Sequence, residues 1–125
     1  MISILMVEDQ ESLHALYRNL LERLNYSVVL ARTGREGIAA AVRQPPDMVI
    51  LDLMLPDMPG VEVARELQAL GVLDGKPLII TTGLGQKDVQ AIAQSLNPTS
   101  VLFKPFSINE MVAAIRNASK IAGLN

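Results

Sequence analysis

Residues 48–57, MVILDLMLPD, decide the fold. Five of the first eight are Val, Ile or Leu, the composition of a strand buried on both faces, as inside a parallel sheet. Asp52 then stands where the strand leaves the core, with apolar residues again after it. A carboxylate placed there is unfavourable unless something nearby compensates its charge. The position therefore asks for a chemical reason.

The same kind of segment recurs on both sides. Short β-prone runs occupy Ile2–Val7, Ser27–Ala31, Met48–Asp52, Leu78–Thr82 and Ser100–Phe103. Helical patterns lie between them. Gln10–Leu24 places Leu13, Leu16, Leu20 and Leu24 on one stripe, with Tyr17 and Leu21 beside it. Thr33-x-x-Glu36 reads as a capping box opening a helix over Gly34–Arg43. Val61–Leu70 follows Pro59-Gly60 and stops at Gly71. Gln86–Ser95 is ended by Asn97-Pro98, and Ser107-x-x-Glu110 opens a last helix to about Ile121. Strict βα alternation with apolar strands predicts a parallel sheet covered by helices on both faces.

The totals agree with one globular domain over residues 1–125. The chain has no cysteine, which excludes disulfides and thiolate metal sites. A net charge of −2 gives no electrostatic case for direct binding to nucleic acid or a membrane. No apolar run approaches the ~20 residues of a membrane span, and the N-terminus does not read as a signal peptide. The expectation is a soluble, cytoplasmic domain. The tail after Ile121 is compatible with a natural end or with a cut before a linker.

In an open parallel sheet, ligands sit beyond the carboxyl ends of the strands. Those ends carry Glu8-Asp9, Asp52, Thr82-Gly83 and Lys104-Pro105. Three carboxylates, a hydroxyl and an ammonium thus gather at one edge. Close carboxylates raise one another's pKa unless a cation intervenes. Mg²⁺ resolves the repulsion, because it takes one or two carboxylates plus waters and leaves room for phosphate oxygens. The set has the parts for phosphoryl transfer to Asp52, with Lys104 and Thr82 holding the phosphoryl oxygens.

Glu8-Asp9, Asp52 within ILDLMLPDMPG, Thr82-Gly83 and Lys104-Pro105-Phe106 together resemble the signature of response-regulator receiver domains of two-component signalling. Asp9 and Asp52 are 43 residues apart, Asp52 and Thr82 are 30 apart, and Asp52 and Lys104 are 52 apart, as in that family. Each motif alone is weak; all of them in this order are specific. The resemblance implies an α/β flavodoxin-like (βα)5 three-layer sandwich, with strand order 2-1-3-4-5. It implies that Asp52 accepts a phosphoryl group from a histidine kinase or phosphotransfer protein. Glu8, Asp9, Asp52 and the Met54 carbonyl would hold Mg²⁺, while Thr82 and Lys104 engage the phosphoryl group. It further implies a cis Lys104–Pro105 bond and a responsive surface on the fourth helix, fifth strand and fifth helix that controls an output partner or domain. Homodimerisation on phosphorylation is left open by the lightly charged last helix.

The sequence departs from the family pattern in places. Val101 occupies the position where the fifth strand often carries an aromatic switch, and Phe103 is two residues further on. The first acid is Glu8 rather than Asp. Met54 and Leu84 flank the site at positions that in the family influence water attack on the acyl phosphate, and neither can orient a water. Slow self-dephosphorylation is the expectation. Asp57 reads as a turn residue, Thr81 as facing away, and His14 as an exposed structural residue beside the leucine stripe. Gly83-Leu84-Gly85 has Asp88 where a dinucleotide loop needs a third glycine.

Two other functions compete. A receiver-like interaction module working without phosphate would have lost an acid or the lysine, and none is lost. An aspartyl-phosphate phosphatase usually needs a second acid two residues after the nucleophile, where this chain has Met54. The expectation is a switch with limited autophosphorylation and autodephosphorylation chemistry, not an enzyme.

Overall fold

The computed structural model describes residues 1–124 of the chain. Five strands alternate with five helices: β1 (Ile2–Val7), α1 (Glu11–Arg23), β2 (Tyr26–Ala31), α2 (Gly34–Arg43), β3 (Met48–Asp52), α3 (Gly60–Ala69), β4 (Leu78–Thr82), α4 (Gln86–Leu96), β5 (Ser100–Phe103) and α5 (Ile108–Ile121). The strands form one sheet in the order β2-β1-β3-β4-β5, with every neighbouring pair parallel. This is the flavodoxin-like arrangement that the alternation and the resemblance imply. The order reverses direction at β1 and β3, where such sheets open a crevice at their carboxyl edge.

Period-2 side-chain alternation divides the core into two layers. Ile4, Met6, Met48, Ile50 and Ile79 point to one face and pack on Tyr17 and Leu21 of α1 and on Met111 and Ile115 of α5. Leu5, Val7, Val49, Leu51 and Ile80 point to the other face, against Ala40 and Ala41 of α2, Val63 and Leu67 of α3 and Val89 of α4. Every residue of β3 and β4 is buried, as expected for central strands of a parallel sheet.

The helix ends follow local chemistry. Ser107 and Glu110 form a complete capping box at α5. Gly71 takes φ +76° just past α3, and Asn97 takes φ 50° at the end of α4. At α2 the box is only half made. The Thr33 hydroxyl accepts from the Glu36 N–H, but the Glu36 carboxylate accepts from the Arg32 N–H instead. Asp57, from the loop after β3, accepts from the N–H groups of Gly34 and Arg35 and so completes the cap from outside the helix. Asp57 is thus more than a turn residue.

The stripe on α1 differs from its sequence reading. The buried residues are His14, Tyr17 and Leu21, while Leu16 is 45 % exposed and Leu13, Leu20 and Leu24 are half-buried. Two neighbouring stripes on this helix both satisfy a 3.6-residue period, and leucine count favours the wrong one. His14 is therefore buried, not exposed.

Candidate functional site

The site lies at the carboxyl edge of the sheet, where the β1, β3, β4 and β5 ends meet. Strand phase decides which side chains converge. Glu8 continues the alternation of Ile4 and Met6, and Asp52 continues that of Met48 and Ile50. Lys104 follows Leu102 in the same way. All three therefore lean to the α1/α5 side.

The Lys104 Nζ donates to Asp52 Oδ2 at 2.7 Å and to Glu8 Oε1 at 3.2 Å. Asp52 is 2 % exposed and Glu8 5 %, so these are desolvated ion pairs rather than surface ones. The Met54 N–H donates to Asp52 Oδ1 at 2.9 Å, which fixes the carboxylate from its other side. Glu8, Asp9 and Asp52 each bring a carboxylate oxygen within 4.8 Å of the others. The sequence expectation that these acids and Lys104 gather is met in the geometry.

The electrostatics of the cluster pull in opposite directions. Burial, and then contact with the Asp52 carboxyl, push Glu8 from 4.5 up to about 7, against the pull of Lys104. Burial works against the Lys104 ammonium, but its bonds and attraction to Asp52 and Glu8 outweigh this and hold it above the ordinary lysine value. The Glu8 Oε2 atom is buried without a hydrogen-bond partner. A buried, unpartnered carboxylate oxygen beside two further acids, all oxygen donors, suits a hard divalent cation. The donor set therefore fits Mg²⁺.

Thr82 is wholly buried, and its hydroxyl accepts from the Leu84 N–H at 3.0 Å. It thus faces its own loop. An open cleft of about 360 Å³ over the acids is lined by Asp9, Asp52, Met54, Leu55, Pro56, Gly83 and Lys104. Leu55 and Pro56 carry no chemistry that a sequence reading would pick out, and Met54 is 60 % exposed at the cleft. Thr81 stands opposite Asp52 in the β3–β4 register and lines a small cavity with Glu8, Tyr17 and Phe106, so it does not face away from the site. Val101 is half-buried against the α2/α3/α4 layer, and Phe103 is 36 % exposed. The Lys104–Pro105 peptide is cis.

Gly60 sets the height of the loop after the acceptor. Its N–H donates to the Leu53 carbonyl at 2.9 Å. A Cβ there would press into the main-chain carbonyl of Asp52 and stand 2.7 Å from Leu53 Cα. Only glycine lets α3 begin this close to the acceptor strand.

Comparison with known proteins agrees with this geometry. The family model described as "Response regulator receiver domain" matches residues 4–116. The Bacillus subtilis alkaline phosphatase synthesis transcriptional regulatory protein PhoP is 34 % identical over 122 residues, covering 95 % of this chain and 50 % of that protein. The transcriptional regulatory protein ResD, also from Bacillus subtilis, is 32 % identical over 126 residues, 98 % of this chain and 51 % of its own. The chain thus spans about half the length of these relatives. Among solved structures, a CheY-like response regulator receiver domain protein from Methanospirillum hungatei superposes with a TM-score of 0.90 at 23 % identity, covering 98 % of this chain and 97 % of that one. The signal receiver domain of a Vibrio parahaemolyticus LuxO repressor protein gives 0.87 at 29 % identity, covering 98 % and 92 %. Sequence motifs, strand order and the family model converge: the chain belongs to the receiver domains of the response regulators of two-component systems.

Proposed function

We propose that this chain is a single receiver domain over residues 1–125 whose switching reaction is phosphorylation of Asp52. The observation that carries the reading is the convergence of Asp52 with Glu8, Asp9 and Lys104, from segments as much as 96 residues apart. A carboxylate is already ionised, so no general base is needed. Asp52 attacks the phosphorus of a phosphohistidine, the P–N bond breaks, and the imidazole leaves with the electron pair. Met54 N–H and Lys104 Nζ hold the carboxylate in one pose before reaction, which lowers the entropic part of the barrier. Lys104 then serves the transferred group's negative charge. The residues that would hold Mg²⁺ are Glu8, Asp9 and Asp52, with the Met54 carbonyl as the resemblance implies. Bound there, the ion supplies neutralisation of the phosphoryl oxygens.

Thr82 is the residue to engage the phosphoryl group afterwards, which requires it to give up the Leu84 N–H. That exchange links the acceptor to the loop entering α4, and so to the α4, β5 and α5 surface. With Val101 in place of an aromatic, the change runs through this loop backbone. The phosphoryl donor is a histidine kinase or phosphotransfer protein. An apolar cleft beside Lys104, lined by Leu13 and Tyr17 of α1 and by Pro105 and Phe106, supports docking along α1. The output is a separate partner or domain in the cytoplasm. The receiver's net charge of −2 gives it no nucleic-acid surface of its own. Among the described residues, no helix is long and apolar enough to cross a membrane.

Acetyl phosphate with Mg²⁺, followed by intact mass, tests the reading. One added phosphoryl group, absent in Asp52→Ala, is the expected result. No gain in the wild type would favour a phosphate-independent interaction module. Steady release of phosphate would favour an aspartyl-phosphate enzyme.

A further inference from the structure

Lys104 reaches the Glu8 side chain from beyond β5, but within its own loop the pair Glu8-Asp9 is held by its main chain. The residue after the pair, Gln10, caps α1 without a side-chain hydrogen bond. On one side, the Glu8 N–H donates to the Ala31 carbonyl of β2 at 2.9 Å. On the other, the Glu8 carbonyl meets the Nε2 atom of His14, the fourth residue of α1, at 2.5 Å. A carbonyl oxygen has only lone pairs to offer, so the ring nitrogen facing it carries the proton.

This contact has leverage. The Glu8 carbonyl lies in the rigid peptide plane that also contains the Cα atoms of Glu8 and Asp9. One hydrogen bond to that oxygen orients both positions from which the acidic side chains spring. The composition of α1 argues against plain packing. His14 occupies a position on the buried stripe with Tyr17 and Leu21, where an aliphatic side chain would pack without a polar atom to satisfy.

We propose that His14 is a positioning residue for the acidic pair, its Nε2–H clamping the Glu8–Asp9 peptide from α1 while β2 holds the preceding Val7–Glu8 peptide. The role rests on the reading that Glu8 and Asp9 hold Mg²⁺. In metal sites, residues that orient the ligands typically change affinity by about 10–100-fold when removed. His14→Leu, which keeps an apolar filler and deletes the donor, is expected to weaken Mg²⁺ binding by at least about tenfold on that scale. His14→Gln, which keeps an N–H at similar reach, is expected to retain most of the affinity. Binding is followed by amide NMR shifts of residues 8–10 in a Mg²⁺ titration.

His14 is the only histidine in the chain, so its ring can be read directly. Long-range ¹H–¹⁵N spectra of the wild type, at a pH where the ring is neutral, are expected to show the Nε2–H tautomer. This measurement needs no variant to fold. An Nδ1–H tautomer overturns the proposal. A folded His14→Leu protein that binds Mg²⁺ as tightly as the wild type overturns it too, as does a Gln variant as weak as Leu. A wild type that shows the Nε2–H tautomer but no Mg²⁺-dependent shift at residues 8–10 removes the metal reading, and the role of His14 with it.

Discussion

Asp52 is held by one main-chain N–H and one ammonium, and beside Asp9 and Lys104 the rest of its cleft is apolar: Met54, Leu55, Pro56 and Gly83. Met54 is 60 % exposed there, and Leu84 follows directly on the Gly83 that borders the cleft. Neither side chain can activate a water, so the acyl phosphate is expected to persist. Replacing both, as Met54→Asn with Leu84→Glu, is expected to shorten its lifetime, measured by decay of the phosphorylated mass with Mg²⁺ present. An unchanged lifetime, or wild-type decay within seconds, refutes this. Glu8 gives a pH signature. Its folded value near 7 lies above the ordinary 4.5, so the folded state binds the extra proton between those values. Metal-free protein is therefore most stable below about 4.5 as far as Glu8 is concerned, and loses that contribution as pH rises to about 7. Urea midpoints from pH 5 to 8 without divalent metal are expected to fall more steeply in the wild type than in Glu8→Gln. Equal slopes would show that Glu8 ionises normally. The identities of Glu8, Asp9, Asp52 and Lys104 were legible in the sequence as strand-end residues. The upward push on Glu8 was not, because it depends first on burial and then on the Asp52 carboxyl from another strand, against the pull of Lys104.

Each strand and helix acts on the site through its ends. The loop between β3 and α3 is closed at one side by Gly60, packed on the Asp52 carbonyl, and at the other by Asp57, which ties it to the start of α2. Gly60→Ala pushes a methyl into backbone that cannot step aside. A loss of about 1–3 kcal/mol is expected from such overpacking, together with slower labelling of Asp52 by acetyl phosphate. A variant as stable and as reactive as the wild type would mean the loop yields easily. The turn chemistry that starts α3 was readable from Pro59-Gly60. The Asp57 cap was not, because its partners Gly34 and Arg35 lie more than 20 residues away and no local spacing announces such a bond. The α1 face was misjudged for a related reason. Helical period restricts the buried stripe to a few rotations, and contact with the sheet chooses among them.

Across the whole molecule, the site works as a repulsion balanced by one lysine. A cation that binds only the folded state adds stability by mass action, about 2.7 kcal/mol at a hundredfold excess over Kd. Thermal unfolding is expected to shift upward with Mg²⁺ and to lose that shift when chelator removes the metal or when Asp9→Asn and Glu8→Gln are combined. A shift that survives the double substitution would place the ion elsewhere. The sequence by itself determined the βα alternation, the parallel sheet and the strand ends that carry the acids, because side-chain period, caps and turns are properties of neighbouring residues. Only the tertiary structure decided which face α1 buries, that His14 meets the Glu8 carbonyl, that Asp57 caps a remote helix, and that burial pushes Glu8 up. Those depend on distances between segments far apart in the chain and on the exclusion of water where they meet, and neither quantity is written in local sequence.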